Sequence, residues 1–338
     1  GLQRLQGASR IARTPILTIL CPQTIVCPTR PKESSTSFWE QRDFPIHGTG
    51  YETLAESSPI ILIGAARSGT KFLRDILASG SGTAAVPYDV NYVWRYGAEK
   101  APNDVLDPAG ITNSRIHFIR KSLHSLAKAN SDDILIEKTV ANTLRVPFVD
   151  AVFPSARYVH LIRDGREVTE SSMRQWQAPP NWSALLHKVR EIPVENLGYV
   201  AWFGWNFAKG LLSGRKGGKV WGPRFPQIDF IAEKGPLSRV CAQQWLESYT
   251  RASVNLQEIP NASARVFTIR YEDLVQDEMA LSKLLEQLEM PDKEKILATY
   301  RKKLRPSEPK IWRKLSLNDI EVINSTLSKT LCELGYTK

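Results

Sequence analysis

The chain has 338 residues, 42% of them hydrophobic and 24% charged, with a formal net charge of +10. Such proportions are those of an ordinary globular protein, and the length allows one large domain or two small ones with a sizeable core. The basic balance favours anionic partners, yet the charge is scattered and no nucleic-acid module is present, which argues against nucleic acid.

The four cysteines (Cys21, Cys27, Cys241, Cys332) and five histidines show no metal-ligand spacing. Neither a metal nor a disulfide framework is expected. No run reaches the roughly 18 apolar residues that a membrane-spanning helix needs.

Residues 1–57 carry no acidic residue before Glu33 and end in Ser-, Gly- and Thr-containing stretches. They read as a flexible leader, of transit type or a trimmed stem, in which Pro15, Pro22 and Pro28 spoil a continuous helix. The expected location is cytoplasmic, or the Golgi lumen if an N-terminal anchor has been removed.

Order is expected from "IILIG" (60–64), a branched apolar run suited to a buried parallel strand. "TKFLRDILASG" reads as a helix with Phe72, Leu73, Ile76 and Leu77 on one face, and "SRIHFIRKSLHSLAKA" as another. Then come the strand "DILIE", a helix near "TLRVPFVDAVF", the strand "RYVHLI" and the helix "REVTESSMRQW". Further on stand a long helix from Leu237, the strand "ARVFTI", the helix "EMALSKLLEQLEM" and a last helix opening with Ser316 and Asp319 at capping-box-like spacing. Strands alternating with helices predict an α/β fold: a parallel sheet flanked by helices on both faces, spanning 58–338. Residues 177–236 break the pattern with Trp182, Trp202, Trp205 and Trp221, and read as an insertion covering one end of the sheet.

"GAARSGTKF" (64–72) follows the first strand and opens the first helix. Backbone N–H groups converge there with the positive end of a helix dipole, so the turn suits a phosphate-like anion. A triphosphate loop would place Lys directly after the second glycine with Ser or Thr next; here Thr70 precedes Lys71. The order points to a loop for a different phosphate ester, with a P-loop kinase as the alternative.

"ARSGTKFLRDIL" resembles the 5′-phosphosulfate loop of sulfotransferases that use 3′-phosphoadenylyl sulfate (PAPS). "YVHLIRDGREVTESS" resembles that family's 3′-phosphate element, a strand ending in Arg with a Ser eight residues on; "IRYEDL" resembles its late strand-to-helix junction. The resemblance implies that Arg67, Ser68, Gly69, Thr70 and Lys71 hold the phosphosulfate, and Arg163 and Ser171 the 3′-phosphate. Arg305 stands where cytosolic relatives carry an R-K-G Arg, although Pro306 and Ser307 depart from that loop.

In-line sulfuryl transfer needs cations near the leaving oxygen and a base near the acceptor. Lys71 and Lys138 are the expected cations, the latter in "LIEKTVAN", which resembles the E-K-[ST] segment of heparan-type N-sulfotransferases. Asp89 in "VPYDVNYVWRYG" occupies the place of a family glutamate and is the expected base, with Glu137 as the fallback. The insertion's tryptophans, with Arg215, Lys219 and Arg224, would suit a sugar carrying negative groups or form the core of a small subdomain. The expected acceptor is a carbohydrate hydroxyl or amine. A protein tyrosine is a minor variant suggested by Arg74, and a non-catalytic binder of anionic glycan or nucleotide remains a further alternative.

Overall fold

The computed structural model describes residues 58–178, 221–305 and 310–336, all within a compact unit that spans 53–338. The expected leader lies outside the described residues, as does most of the insertion (179–220).

Strand β1 (Ile60–Ile63) is IILI and buried at every position. Successive side chains point to opposite faces, so Ile60 and Leu62 enter one core while Ile61 and Ile63 enter the other. A central parallel strand needs apolar residues on both faces, and each such side chain contributes about 1.5–3 kcal/mol by burial. Strands β2 (Thr83–Ala85), β3 (Ile134–Glu137), β4 (Arg157–Ile162) and β5 (Val266–Arg270) complete a five-stranded sheet. Its order is β2-β3-β1-β4-β5, and every pairing is parallel.

Helices cover both faces. Helix α1 (Thr70–Leu77) follows β1, α2 (Asn91–Trp94) and α3 (Asn113–Ala127) follow β2, and α4 (Val146–Val152) follows β3. Helix α5 (Gly165–Gln177) follows β4, and α6 (Ile228–Lys234), α7 (Leu237–Glu258) and α8 (Ala262–Arg265) lead into β5. After β5 come α9 (Tyr271–Gln276), α10 (Glu278–Gln287), α11 (Lys293–Lys303) and α12 (Leu317–Glu333). One core packs α1, α10 and α11 on the sheet, and the other packs α2, α3, α4 and α7. A third joins α5, α7 and α12 through Met173, Trp245 and Leu327.

The predicted α/β class and the strand positions agree with this sheet. Two elements differ in detail. The helix expected near "TLRVPFVDAVF" is a 3-10 turn (Val140–Leu144) followed by α4, because Pro147 has no N–H to continue the first and favours starting the second. Ser316 caps α12 by accepting the Asp319 N–H at 3.1 Å, but its hydroxyl also donates to the Asp319 carboxylate at 2.7 Å, so the reciprocal half of a capping box is replaced. Cys241 and Cys332 are free.

Candidate active site

In a parallel sheet, every chain segment leaving a strand's carboxyl end emerges on the same edge, where ligands of such folds bind. Five strands therefore deliver five segments together. The turn after β1 carries Arg67 to Gly69, the one after β2 carries Asp89, and the one after β3 carries Lys138. Arg163 follows β4 and Tyr271 follows β5. A cleft of about 760 Å³ opens there, lined by Arg67, Gly69, Thr70, Lys71, Asp89, Lys138, Arg163, Ser171 and Arg305 among others.

The β1 turn is shaped by two left-handed residues, Arg67 (φ 70°) and Gly69 (φ 98°). A Cβ on Gly69 would stand 2.4 Å from the Tyr271 ring, so glycine is required by space as well as by torsion. Ser68 is buried; its N–H and its Oγ both donate to the Ala65 carbonyl, at 3.1 and 2.7 Å. Its hydroxyl thus shapes the turn and does not line the cleft. Helix α1 begins at Thr70 with no side-chain cap, which leaves its first-turn amides aimed at the cleft mouth.

Arg67 Nε donates to Ser171 Oγ at 3.0 Å, and Arg163 Nη1 donates to the Arg67 carbonyl at 3.2 Å. The two motif elements, separate in sequence, are therefore one surface. Arg163 lies over the Tyr271 ring at 4.2 Å and 3.9 Å from Glu167. Burial, followed by the charges of Arg174 and Arg163, lowers the Arg67 pKa, with Glu170 opposing.

On the opposite wall Lys138 Nζ stands 3.6 Å from Asp89 Oδ2, which also accepts the Val140 N–H at 2.9 Å. Lys71 Nζ is exposed and paired with Asp75 at 2.9 Å. Burial opposes ionisation of Asp75, but hydrogen bonds from Arg74 and Lys71 outweigh it and lower its pKa.

Glu137 lies behind the Asp89–Lys138 pair, near enough to feel the charges of both. It is 0% exposed, accepting from Trp94 Nε1 at 3.2 Å and Asn142 Nδ2 at 3.0 Å, and burial raises its pKa. It faces the core and does not line the cleft, so it is out of reach of an acceptor.

Trp221 lines the cleft, whereas Arg224 is committed to Asp229 at 2.6 Å. Trp182, Trp202, Trp205, Arg215 and Lys219 lie outside the described residues. Three cleft features escaped sequence reasoning: Lys302 and Lys303 at the end of α11, and Asn91 at the start of α2. The basic run "RKKLR" was the available signal for the lysines. No helix among the described residues is long and apolar enough to cross a membrane.

A model of the sulfotransferase family matches residues 59–200, which contain both anion-binding elements. This segment is sulfotransferase-like. No curated protein matches the chain. Similar solved structures include the sulfotransferase domain from the curacin biosynthetic pathway, 15% identical, covering 81% of this chain and 98% of that one, with a TM-score of 0.42. Sulfotransferase STF9 from Mycobacterium avium is 13% identical, covers 82% of this chain and 76% of that one, and has a TM-score of 0.47. Mouse sulfotransferase SULT7A1 complexed with PAP is 11% identical, covers 84% of this chain and 91% of that one, and has a TM-score of 0.43.

Proposed function

We propose that this sulfotransferase-like protein moves the sulfuryl group of PAPS to a hydroxyl or amine of a carbohydrate. The observation that carries the reading is the junction of Arg67, Ser171 and Arg163 at one cleft. A donor with a phosphosulfate at one end and a 3′-phosphate on its ribose needs two cation-rich anion sites side by side. The α1 amides, Arg67, Thr70 and Lys71 suit the first, and Arg163 and Ser171 the second, with Arg305 at its rim.

Asp89 is the proposed base. It takes the acceptor proton while the acceptor oxygen or nitrogen bonds to sulfur. As the bridging O–S bond breaks, Lys138 and Lys71 stabilise the negative charge that the leaving 5′-phosphate gains. Lys71, being exposed, exchanges its Asp75 partner for that phosphate. Residues 58–338 form the transferase domain in this reading, and 177–236 the acceptor side. The location is proposed as cytoplasmic, with the Golgi lumen as the alternative had an anchor preceded residues 1–57.

The test is turnover. Purified protein is incubated with PAPS and a panel of glycans and tyrosine peptides, with Mg²⁺ or with a chelator. Sulfated glycan and free adenosine 3′,5′-bisphosphate, insensitive to the chelator, are expected. Product from tyrosine peptides alone would move the acceptor to protein. Phosphorylated product that requires ATP and Mg²⁺ would replace the reading with a kinase, and donor binding without product would leave a binder.

A further inference from the structure

Arg74 is only 6% exposed, although it sits on α1 one turn past the anion loop. It does not line the cleft. Its Nη1 donates to the backbone carbonyls of Val86 at 3.2 Å and Pro87 at 2.7 Å. Its Nε and Nη2 both donate to Asp75 Oδ1, at 2.9 and 2.5 Å. A buried guanidinium is tolerated only when its donors are satisfied, and here half of the fork is directed at two consecutive carbonyls.

Those carbonyls open the turn that carries Asp89. The far side of the same turn is tied to the β3 exit: Val90 N–H donates to Thr139 Oγ1 at 3.2 Å, and Asp89 itself accepts from Val140. The Asp89 carboxylate therefore hangs between two anchors, one on α1 and one after β3. Without the α1 anchor, the chain from Val86 to Asp89 loses its side-chain brace and the carboxylate loses its fixed distance to Lys138. Asp75 extends the arrangement, because it binds both Arg74 and Lys71.

We propose that Arg74 is a positioning residue: by clamping the Val86 and Pro87 carbonyls it sets Asp89 against Lys138 in the cleft. The role of Asp89 as base rests on the sulfotransferase reading above; its placement by Arg74 does not. Arg74 and the Asp89–Lys138 pair are thus one mechanical unit, with α1 following the anion loop at its start and supplying the clamp one turn on.

The experiment compares Arg74→Ala, Arg74→Lys, Asp89→Asn and the double variant Arg74→Ala/Asp89→Asn in the full chain. Residue-resolved hydrogen exchange at the Val140 amide reads placement directly, since that N–H is held by Asp89. We expect Arg74→Ala to speed exchange there by at least about 10-fold, with Arg74→Lys intermediate because a point charge lacks the fork. Affinity for adenosine 3′,5′-bisphosphate should stay within about 2-fold while kcat falls by about 100-fold. The double variant should be no slower than Asp89→Asn alone. Unchanged Val140 protection in both Arg74 variants would overturn the proposal. So would bisphosphate affinity falling in step with kcat, or losses that multiply in the double variant. If the wild-type protein transfers no sulfuryl group, the functional reading fails, and the exchange readout decides the placement on its own. Should Arg74→Ala not fold, Arg74→Lys carries the same comparisons.

Discussion

Arg67 Nε lies 3.0 Å from Ser171 Oγ, joining the turn after β1 to the second turn of α5 across 104 positions of sequence. Arg163 closes the triangle through the Arg67 carbonyl. Charged hydrogen bonds of this kind are worth about 1.5–3 kcal/mol each. Arg163→Ala is therefore expected to weaken binding of adenosine 3′,5′-bisphosphate by about 100-fold and Ser171→Ala by about 10-fold. Calorimetry checks both. Equal losses for adenosine 5′-monophosphate would contradict their assignment to the 3′-phosphate.

Gly69 is confined twice, by its φ of 98° and by the Tyr271 ring 2.4 Å from where a Cβ would stand. Gly69→Ala should abolish bisphosphate binding and lower stability by about 2–3 kcal/mol. Gly82 has a φ of 68° but open space around it, so Gly82→Ala should cost only about 1 kcal/mol and leave binding intact. Denaturant unfolding and calorimetry of the two variants separate torsion from crowding.

Asp89 and Lys138 are a pair at 3.6 Å facing the cleft. Asp89→Asn keeps the size and the acceptor oxygen for Val140, yet removes the base. Its kcat should fall by about 100-fold to 10,000-fold with bisphosphate affinity nearly unchanged. A variant that keeps its kcat would remove Asp89 from the chemistry.

His160 does not line the cleft. Burial among β4, β5 and α7 lowers its pKa from 6.5 to about 4, so the folded protein holds it neutral. As pH falls from 6.5 toward 4, the unfolded chain binds a proton that the folded one refuses. Stability is therefore complete above that window and lost within it, by on the order of 3 kcal/mol. His160→Phe, which preserves a ring against Tyr249, should show a flatter dependence than wild type when unfolding is followed across this range. Parallel curves would contradict this account.

Much of the fold was legible because local signals and tertiary demands coincide. IILI is apolar on both faces because β1 is central, and the glycine after Ser68 marks a torsion that few residues adopt. Arg163 and Ser171 were legible through the resemblance to the sulfotransferase 3′-phosphate element, whose spacing matches a residue at the strand end and another about two turns into α5. Glu137 misled for a physical reason. It neighbours Lys138 in sequence, but at the end of β3 it turns into the core, where Trp94 and Asn142 hold it. The contributions of Lys302 and Lys303, and the clamp made by Arg74, depend on contacts between distant segments, and no periodicity records those.

The proposed donor carries both a 5′-phosphosulfate and a 3′-phosphate, so the cleft should bind both ends of such a molecule. Titration of the purified chain with adenosine 3′,5′-bisphosphate, in parallel with ATP and Mg²⁺, tests it most directly. Micromolar bisphosphate binding is expected, weakened by about 100-fold in Arg163→Ala. Tight binding of ATP with Mg²⁺, together with indifference to the bisphosphate, would contradict it.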